Sequence, residues 1–436
     1  MSFEKIKIVL LLAVLCAGCK TTFDDPKYTS GDADFSRYVA VGSSFSAGFS
    51  DNALYLQSQQ NSFPAILASR FALADGGSFT QPLVNAGNGL GNKLVLNFGN
   101  TCTGLQGYSY SSLSSDISNT NWIGSQGPFN NLSVPEAKSY NLNDPSFGKR
   151  NLGSIYYNRF ASDTGTSTIL GDMGKISNAT GNGPTFFSFW IGIQDVFGYA
   201  TTGGENDSLT SIQTFNTAID TVINVLSSYS GQGVMANIPD IESLPFFNTI
   251  PYNGLTLTQA EADQLNATSN FIFTEGANGF IIKTPLTPLP GGDQTSQISQ
   301  GQYILYSAWD SIRCNRWGTP QKPIPSKYIL DSNEIIKIHN NTTAYNSKLQ
   351  NAAVSKNLAF ADMNQFFKTL QSGILFNNVN FNAQYLTGGA FSLDGIHPNS
   401  RGYALIANEF IRVINAKYKS TIHPVDVNNY PGIRFP

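Results

Sequence analysis

Strand-length apolar runs separated by helix-length amphipathic segments predict an α/β fold, with a parallel sheet covered by helices on both faces. Three observations carry this prediction. The run TFFSFWI at 185–191 is almost continuously apolar, as a strand buried on both faces requires. The segment SLTSIQTFNTAIDTVINVLSSYS repeats apolar residues at helical spacing, through Ile212, Phe215, Ile219, Val222, Ile223 and Leu226. Residues 331–353 open with Asp331 and Glu334 in capping-box spacing, a helix start.

The remaining elements follow the same alternation. RYVAV at 37–41 is a short β-rich run ending at Gly42, and SFPAILASRFAL at 62–73 is a helix with Pro64 near its start. GVMANI at 233–238 and residues 358–361 are strands, and SRGYALIANEFIRVINAKY at 400–418 is a final helix. Two stretches break the pattern, at about 99–184 and 245–327. Both are rich in Gly, Ser, Asn and Tyr with little periodicity, apart from a helix at 256–270 and a hairpin around 280–283. Structureless loops of that size do not belong inside a compact domain. They are read as insertions in one domain spanning 37–436, forming a rim at the C-terminal ends of the strands, where open α/β sheets carry their sites.

The N-terminus speaks to compartment. MSFEKIKIVLLLAVLCAGCK has Lys5 and Lys7, then an apolar stretch and small residues, the layout of a secretory signal too short to span a bilayer. Ala17 and Gly18 before Cys19 resemble the lipobox of bacterial lipoproteins, although Cys16 stands where an aliphatic is usual. That resemblance implies a signal peptide over 1–18, lipidation at Cys19 and a membrane anchor, followed by a polar tether over 19–36. Lys20, Asp24 and Asp25 resemble the acidic export tags of surface lipoproteins in the Bacteroidetes group. The expected location is the cell envelope, as an outer-membrane lipoprotein facing the periplasm or the surface.

Composition narrows the partners. Only 13% of residues are charged, the net charge is −3, and no basic run occurs, which argues against nucleic acid. Beyond Cys19, Cys102 and Cys314 are the only cysteines, able to pair in an oxidising compartment. Without a Cys/His cluster, neither a metal nor any other cofactor is expected.

Chemistry concentrates near the C-terminus, in FSLDGIHPNSRGYALIANEFI. The chain has three histidines. His339 falls inside a predicted helix, and His423 lies in the tail without a nearby acid. His397 has Asp394 three residues earlier, in a loop before the last helix. A carboxylate on Nδ1 would set the imidazole tautomer and leave Nε2 free to take a proton. The opening stretch VAVGSSFSAGFSD supplies serines at a strand-to-helix turn.

Taken in order, a serine after the first strand, a GxxD after a middle strand and DxxH before the last helix resemble the SGNH hydrolases, the GDSL family of esterases and lipases. The first block, GDSxSxG, is matched by Gly42 to Gly48, with Ser44 at the nucleophile and Ser43 at the aspartate. The third, GxND, is matched by Gly192-Ile193-Gln194-Asp195, and the fifth, DxxH, by Asp394 to His397. The second-block glycine falls in VNAGNGLGNK, at Gly89 or alternatively Gly91. The text around the blocks also looks like the lipoprotein branch of the family in Bacteroidetes.

The resemblance implies a three-layer flavodoxin-like fold and hydrolysis of an ester through an acyl-enzyme on Ser44. His397 would be the base, Asp394 its orienter, and no cofactor would be needed. The oxyanion hole would comprise the N–H of Ser44, the N–H of Gly89 and the side-chain amide of Gln194. Ala47 and Gly48 would keep the approach to Ser44 open. Gln194 departs from the family asparagine by one methylene, and losing one such donor typically costs about a hundredfold in rate. A weakened glycan- or lipid-binding lipoprotein on a hydrolase scaffold is therefore the alternative reading. The partners implied are a small-molecule, glycan or lipid ester and, through the anchor, a membrane.

Overall fold

The computed structural model describes residues 28–178, 181–229, 231–284 and 294–436. The signal, Cys19 and the first part of the tether lie outside these residues. Among the described residues, no helix is long and apolar enough to cross a membrane.

The core is a parallel sheet in the order β1 (Tyr38–Gly42), β2 (Phe186–Trp190), β3 (Gly233–Ala236), β4 (Ala359–Ala361). Tyr38 pairs with Phe186 and Gly42 with Trp190, so both strands end level. Every residue of β1, β2 and β3 is buried, which requires cover on both faces. Two helix pairs provide it. Helix α1 (Ser44–Ala47) is a single turn after β1, and α2 (Phe63–Phe71) then packs on α7 (Ser400–Tyr418). After α3 (Ile193–Ala200), α4 (Ile212–Tyr229) packs against α5 (Ser332–Ser355), while α6 (Met363–Ser372) follows β4. The three-layer arrangement expected from the sequence is the one observed.

Local chemistry explains the element boundaries. Ser62 caps α2 with Pro64 in its first turn, and Asp331 accepts from the N–H groups of Asn333 and Glu334 while Glu334 returns a bond to Asp331. Helix α4 buries Phe215, Ile219, Val222, Ile223 and Leu226, but Ile212, expected on that face, is largely exposed at its first turn. The helix expected at 256–270 spans Gln259–Thr268, because Leu255–Leu257 pairs as a strand with Gly276–Asn278.

Three departures bear on the site. First, the stretch expected as a tether is docked from residue 28 onward: Phe35 is buried and stacks on Phe71 with ring centroids 4.0 Å apart, and Thr29 bonds Thr421. Second, the stretch at 99–184 is not wholly an insertion. Ala40 N–H donates to Asn130, while Leu132 and Val134 donate to Ala40 and Gly42, so residues 130–134 run parallel to β1 along its free side. The run LSV alternates over only three residues, too few to mark a strand, so its strand-like character comes from β1. Third, the low-periodicity text hides a long hairpin, Lys93–Asn100 with Gln106–Leu113.

The structure joins Cys102, at the tip of that hairpin, to Cys314 in the helix Trp309–Asn315, with Cα atoms 5.5 Å apart. A covalent bond thus links the two stretches outside the alternation. They also meet at the sheet's C-terminal edge. Tyr306 donates to Tyr110 across 3.2 Å and packs on Tyr385, whose hydroxyl donates to the carbonyl of Leu393, beside Asp394.

Candidate active site

Strand β1 ends at Gly42 for a steric reason. A Cβ there would lie 2.4 Å from Ser46 Oγ and 2.6 Å from the Trp190 carbonyl, so only glycine lets β1 turn sharply beside β2. Ser43 then caps α1 without a side-chain bond, and Ser44 is the first helical residue. The N–H groups of a first turn have no intrahelical acceptor, so Ser44 presents an unused donor beside its own hydroxyl. Gly48, expected to keep the approach open, instead closes α1 at φ 82°, and a Cβ on it would meet Ser58 and Ser62. Its role is to end the turn.

The loop before α7 closes on this serine. Ser392 N–H donates to the His397 carbonyl, and Asn399 caps α7 while its amide also donates to Gly389 and Phe391. His397 Nε2 lies 2.9 Å from Ser44 Oγ, and Nδ1 lies 3.0 Å from Asp394 Oδ2. The rings of Phe45 and Phe49 flank the imidazole at 5.2 and 4.9 Å. Ser44, Asp394 and His397, separated by some 350 residues of chain, therefore form one hydrogen-bonded relay.

Asp394 is heavily bonded. Oδ1 accepts from the N–H groups of Ile396 and His397, each at 2.8 Å, and Oδ2 accepts from Asn52 N–H at 2.9 Å. Burial pushes its carboxyl up, but the His397 charge and these donors outweigh burial and hold it below the usual carboxylate range. The Asn52 contact was not foreseen from sequence. It requires Asp51 and Asn52 both in the left-handed region, at φ 51° and 59°, a conformation that Asp and Asn tolerate better than most. Asp51 in turn accepts from Leu393 N–H and Tyr55 O–H, and Ser392 Oγ accepts from Asp51 N–H.

The oxyanion side differs from expectation. Gly89 N–H donates to Asp116 Oδ2 at 3.2 Å, and the alternative, Gly91 N–H, donates to Ser115 Oγ at 2.9 Å. Gly91 is also paired with Ala53 in a short antiparallel ladder, and with both N–H groups already bonded neither amide is available. A different segment lies alongside the serine turn. Leu132 and Val134 donate to Ala40 and Gly42, so Glu136 follows the last paired residue of its segment by two positions, as Ser44 follows the last residue of β1. Val134-Pro135-Glu136-Ala137 is a tight turn closed by Ala137 N–H to Val134 O, with Glu136 at φ 68°. Such turns take proline second and want φ > 0 third, usually glycine. Neither Glu136 N–H nor Ser44 N–H has a hydrogen-bond partner among the described residues. The signal available in sequence was VPEA after a short apolar run.

Gln194 begins α3 but its amide does not reach the serine by any described hydrogen bond. Its Nε2 lies about one turn along its own helix, 3.2 Å from where a Cβ on Gly198 would sit. Asp195 is buried and accepts from Ser139 N–H and Oγ at 2.8 and 2.7 Å, so it fixes the chain just after Glu136. Ser43 Oγ, at the family aspartate position, is buried without a hydrogen-bond partner, as is Ser46 Oγ. His339 bonds Glu242 and His423 packs on Tyr28, both away from the relay.

A cavity of about 380 Å³ lies behind the acid, lined by Asp51, Tyr55, Lys93 and the C-terminal residues 431–436. Its walls include neither Ser44 nor His397, so it belongs to the support of the site and not to the reacting atoms.

No family model matches the chain, and no curated protein matches it either. Among solved structures, the chain is similar to an alpha/beta hydrolase enzyme from the metagenome of Lake Arreo, Spain, at 11% identity and a TM-score of 0.37, covering 88% of this chain and 96% of that one. It is similar to an extracellular lipase from Streptomyces rimosus at 12% identity and a TM-score of 0.34, covering 87% and 98%. It is also similar to a GDSL-like lipase from Parabacteroides merdae at 10% identity and a TM-score of 0.35, covering 89% and 100%. In this chain, a serine turn after the first parallel strand faces a DxxH loop before the last helix, which is the layout that the SGNH/GDSL resemblance implies.

Proposed function

We propose that the protein is a serine ester hydrolase of the SGNH/GDSL type, held on a membrane through Cys19. The observation that carries this is the relay from Ser44 Oγ through His397 to Asp394. Asp394 fixes the proton on Nδ1, so Nε2 accepts the serine proton as Oγ attacks the ester carbonyl. The oxyanion that forms is met by the N–H groups of Ser44 and Glu136. His397 then protonates the leaving alcohol, and a water activated by the same nitrogen releases the acid from Ser44.

A fluorophosphonate probe tests this reading on the soluble form lacking Cys19. Ser44 should be labelled in the wild type and unlabelled in Ser44→Ala and His397→Ala. A folded wild type that takes no label would overturn it.

The placement of Gln194 favours a second reading, a glycan- or lipid-binding lipoprotein in which the third oxyanion donor has been lost. Gln194→Asn separates the two. A large gain in ester cleavage from almost none supports the binding reading, whereas little change supports an enzyme working with two backbone donors.

A further inference from the structure

We propose that Glu136 is a charge filter at the mouth of the site, admitting neutral and cationic esters and disfavouring esters that carry an anionic group near the carbonyl. The inference deepens the hydrolase reading and rests on it.

Two independent routes bring Glu136 to the reacting atoms. One is the sheet: residues 132 and 134 pair with 40 and 42, so Glu136 and Ser44 each leave the paired segments two residues later. The other runs through side chains. The Glu136 carboxylate acts electrostatically on Tyr156, the Tyr156 ring lies 6.1 Å from Phe49, and Phe49 lies 4.9 Å from His397. Two aromatic rings thus connect the surroundings of this carboxylate to the imidazole.

The side chain is exposed and makes no ion pair or hydrogen bond among the described residues. Surface carboxylates that serve only solubility need no such position. This one occupies a backbone conformation that a residue with a Cβ enters at a cost, φ 68° at the third position of a turn where glycine is free to sit. Strain of this kind collects at functional sites, and the inference runs from the observed outlier to a use. The protein atoms around it push the carboxyl above the usual range, although the side chain itself reaches solvent. An ionised Glu136 repels a second negative charge arriving with the substrate and attracts a positive one. With its N–H proposed as an oxyanion donor, a charge near the ester carbonyl falls within range of its carboxylate.

The test uses three matched esters with the wild type, Glu136→Gln and Glu136→Gly: p-nitrophenyl acetate, mono-p-nitrophenyl succinate and acetylthiocholine. In Glu136→Gln, kcat/KM for the succinate ester should rise about tenfold relative to the acetate, the size of one pair of like charges about 12 Å apart at an effective dielectric of about 20. The choline ester should fall relative to the acetate, and both ratios should shrink at high salt. Glu136→Gly should reproduce the ratios while removing the backbone strain, which separates charge from folding. If all three esters change by one common factor in both variants, Glu136 only shapes the turn and the proposal is overturned. If the wild type cleaves none of the esters and takes no phosphonate label, the hydrolase reading fails and this inference with it.

Discussion

Replacing Asp394 by asparagine is the most discriminating single perturbation of the relay. The carboxylate accepts four N–H groups: Ile396 and His397 on Oδ1, Asn52 and His397 Nδ1 on Oδ2. An asparagine has one oxygen and one NH2 group, so whichever way it turns, its NH2 faces two donors. If the oxygen keeps the Oδ1 place, the NH2 meets Asn52 N–H and His397 Nδ1. The imidazole then accepts at Nδ1 and carries its proton on Nε2, pointing at Ser44, where it cannot take the serine proton. Loss of tautomer control of this kind costs about 10⁴ in kcat, or about 5.4 kcal/mol of transition-state stabilisation. The stranded Asn52 N–H adds about 1–3 kcal/mol of lost fold stability. The acid lies below the usual carboxylate range, so its contribution is full above about pH 4 and is lost as the pH falls through its folded value. The stability gap between wild type and Asp394→Asn should therefore narrow in acid. Ester turnover and urea melts at several pH values measure both effects. A correctly folded Asp394→Asn that keeps more than a tenth of wild-type kcat would refute the assignment of Asp394 as the orienting acid.

Two other outcomes follow from the support of the site. Asp51 behaves oppositely to Asp394: burial holds its carboxyl above the usual range, with Leu393 and Tyr55 offsetting only part. Its contribution is full below about pH 4 and is lost as the pH rises through the folded value, so Asp51→Asn should compare better with wild type at pH 8 than at pH 4. An equal difference in urea melts at both pH values would contradict this. The Cys102–Cys314 disulfide closes a loop with a sequence separation of 212 residues. Chain entropy sets an upper bound of about 5 kcal/mol on its stabilisation. Cys102→Ser should expose the 93–113 hairpin to proteolysis before the sheet unfolds, and a hairpin that stays equally protected would count against its clamping role.

The sequence by itself determined the sheet and its helices. Continuous apolar runs, capping pairs and helical periodicity are local signals, and the burial they encode is the same in any arrangement that covers both faces of the strands. It also determined the nucleophile, base and acid as candidates, because DxxH holds two of the three within one loop. Tertiary structure alone decided the oxyanion side. Gly89 and Gly91 satisfied the motif, yet their N–H groups are taken by Asp116 and Ser115, partners more than twenty residues away. The amide left unpaired beside Ser44 belongs to Glu136, whose segment reads as irregular because only pairing with β1 makes it a strand. Asn52 likewise reaches Asp394 across 342 positions, through two left-handed residues that no local pattern announces. Which backbone donors remain free depends on what every other segment has already bonded, and that is a property of the whole fold.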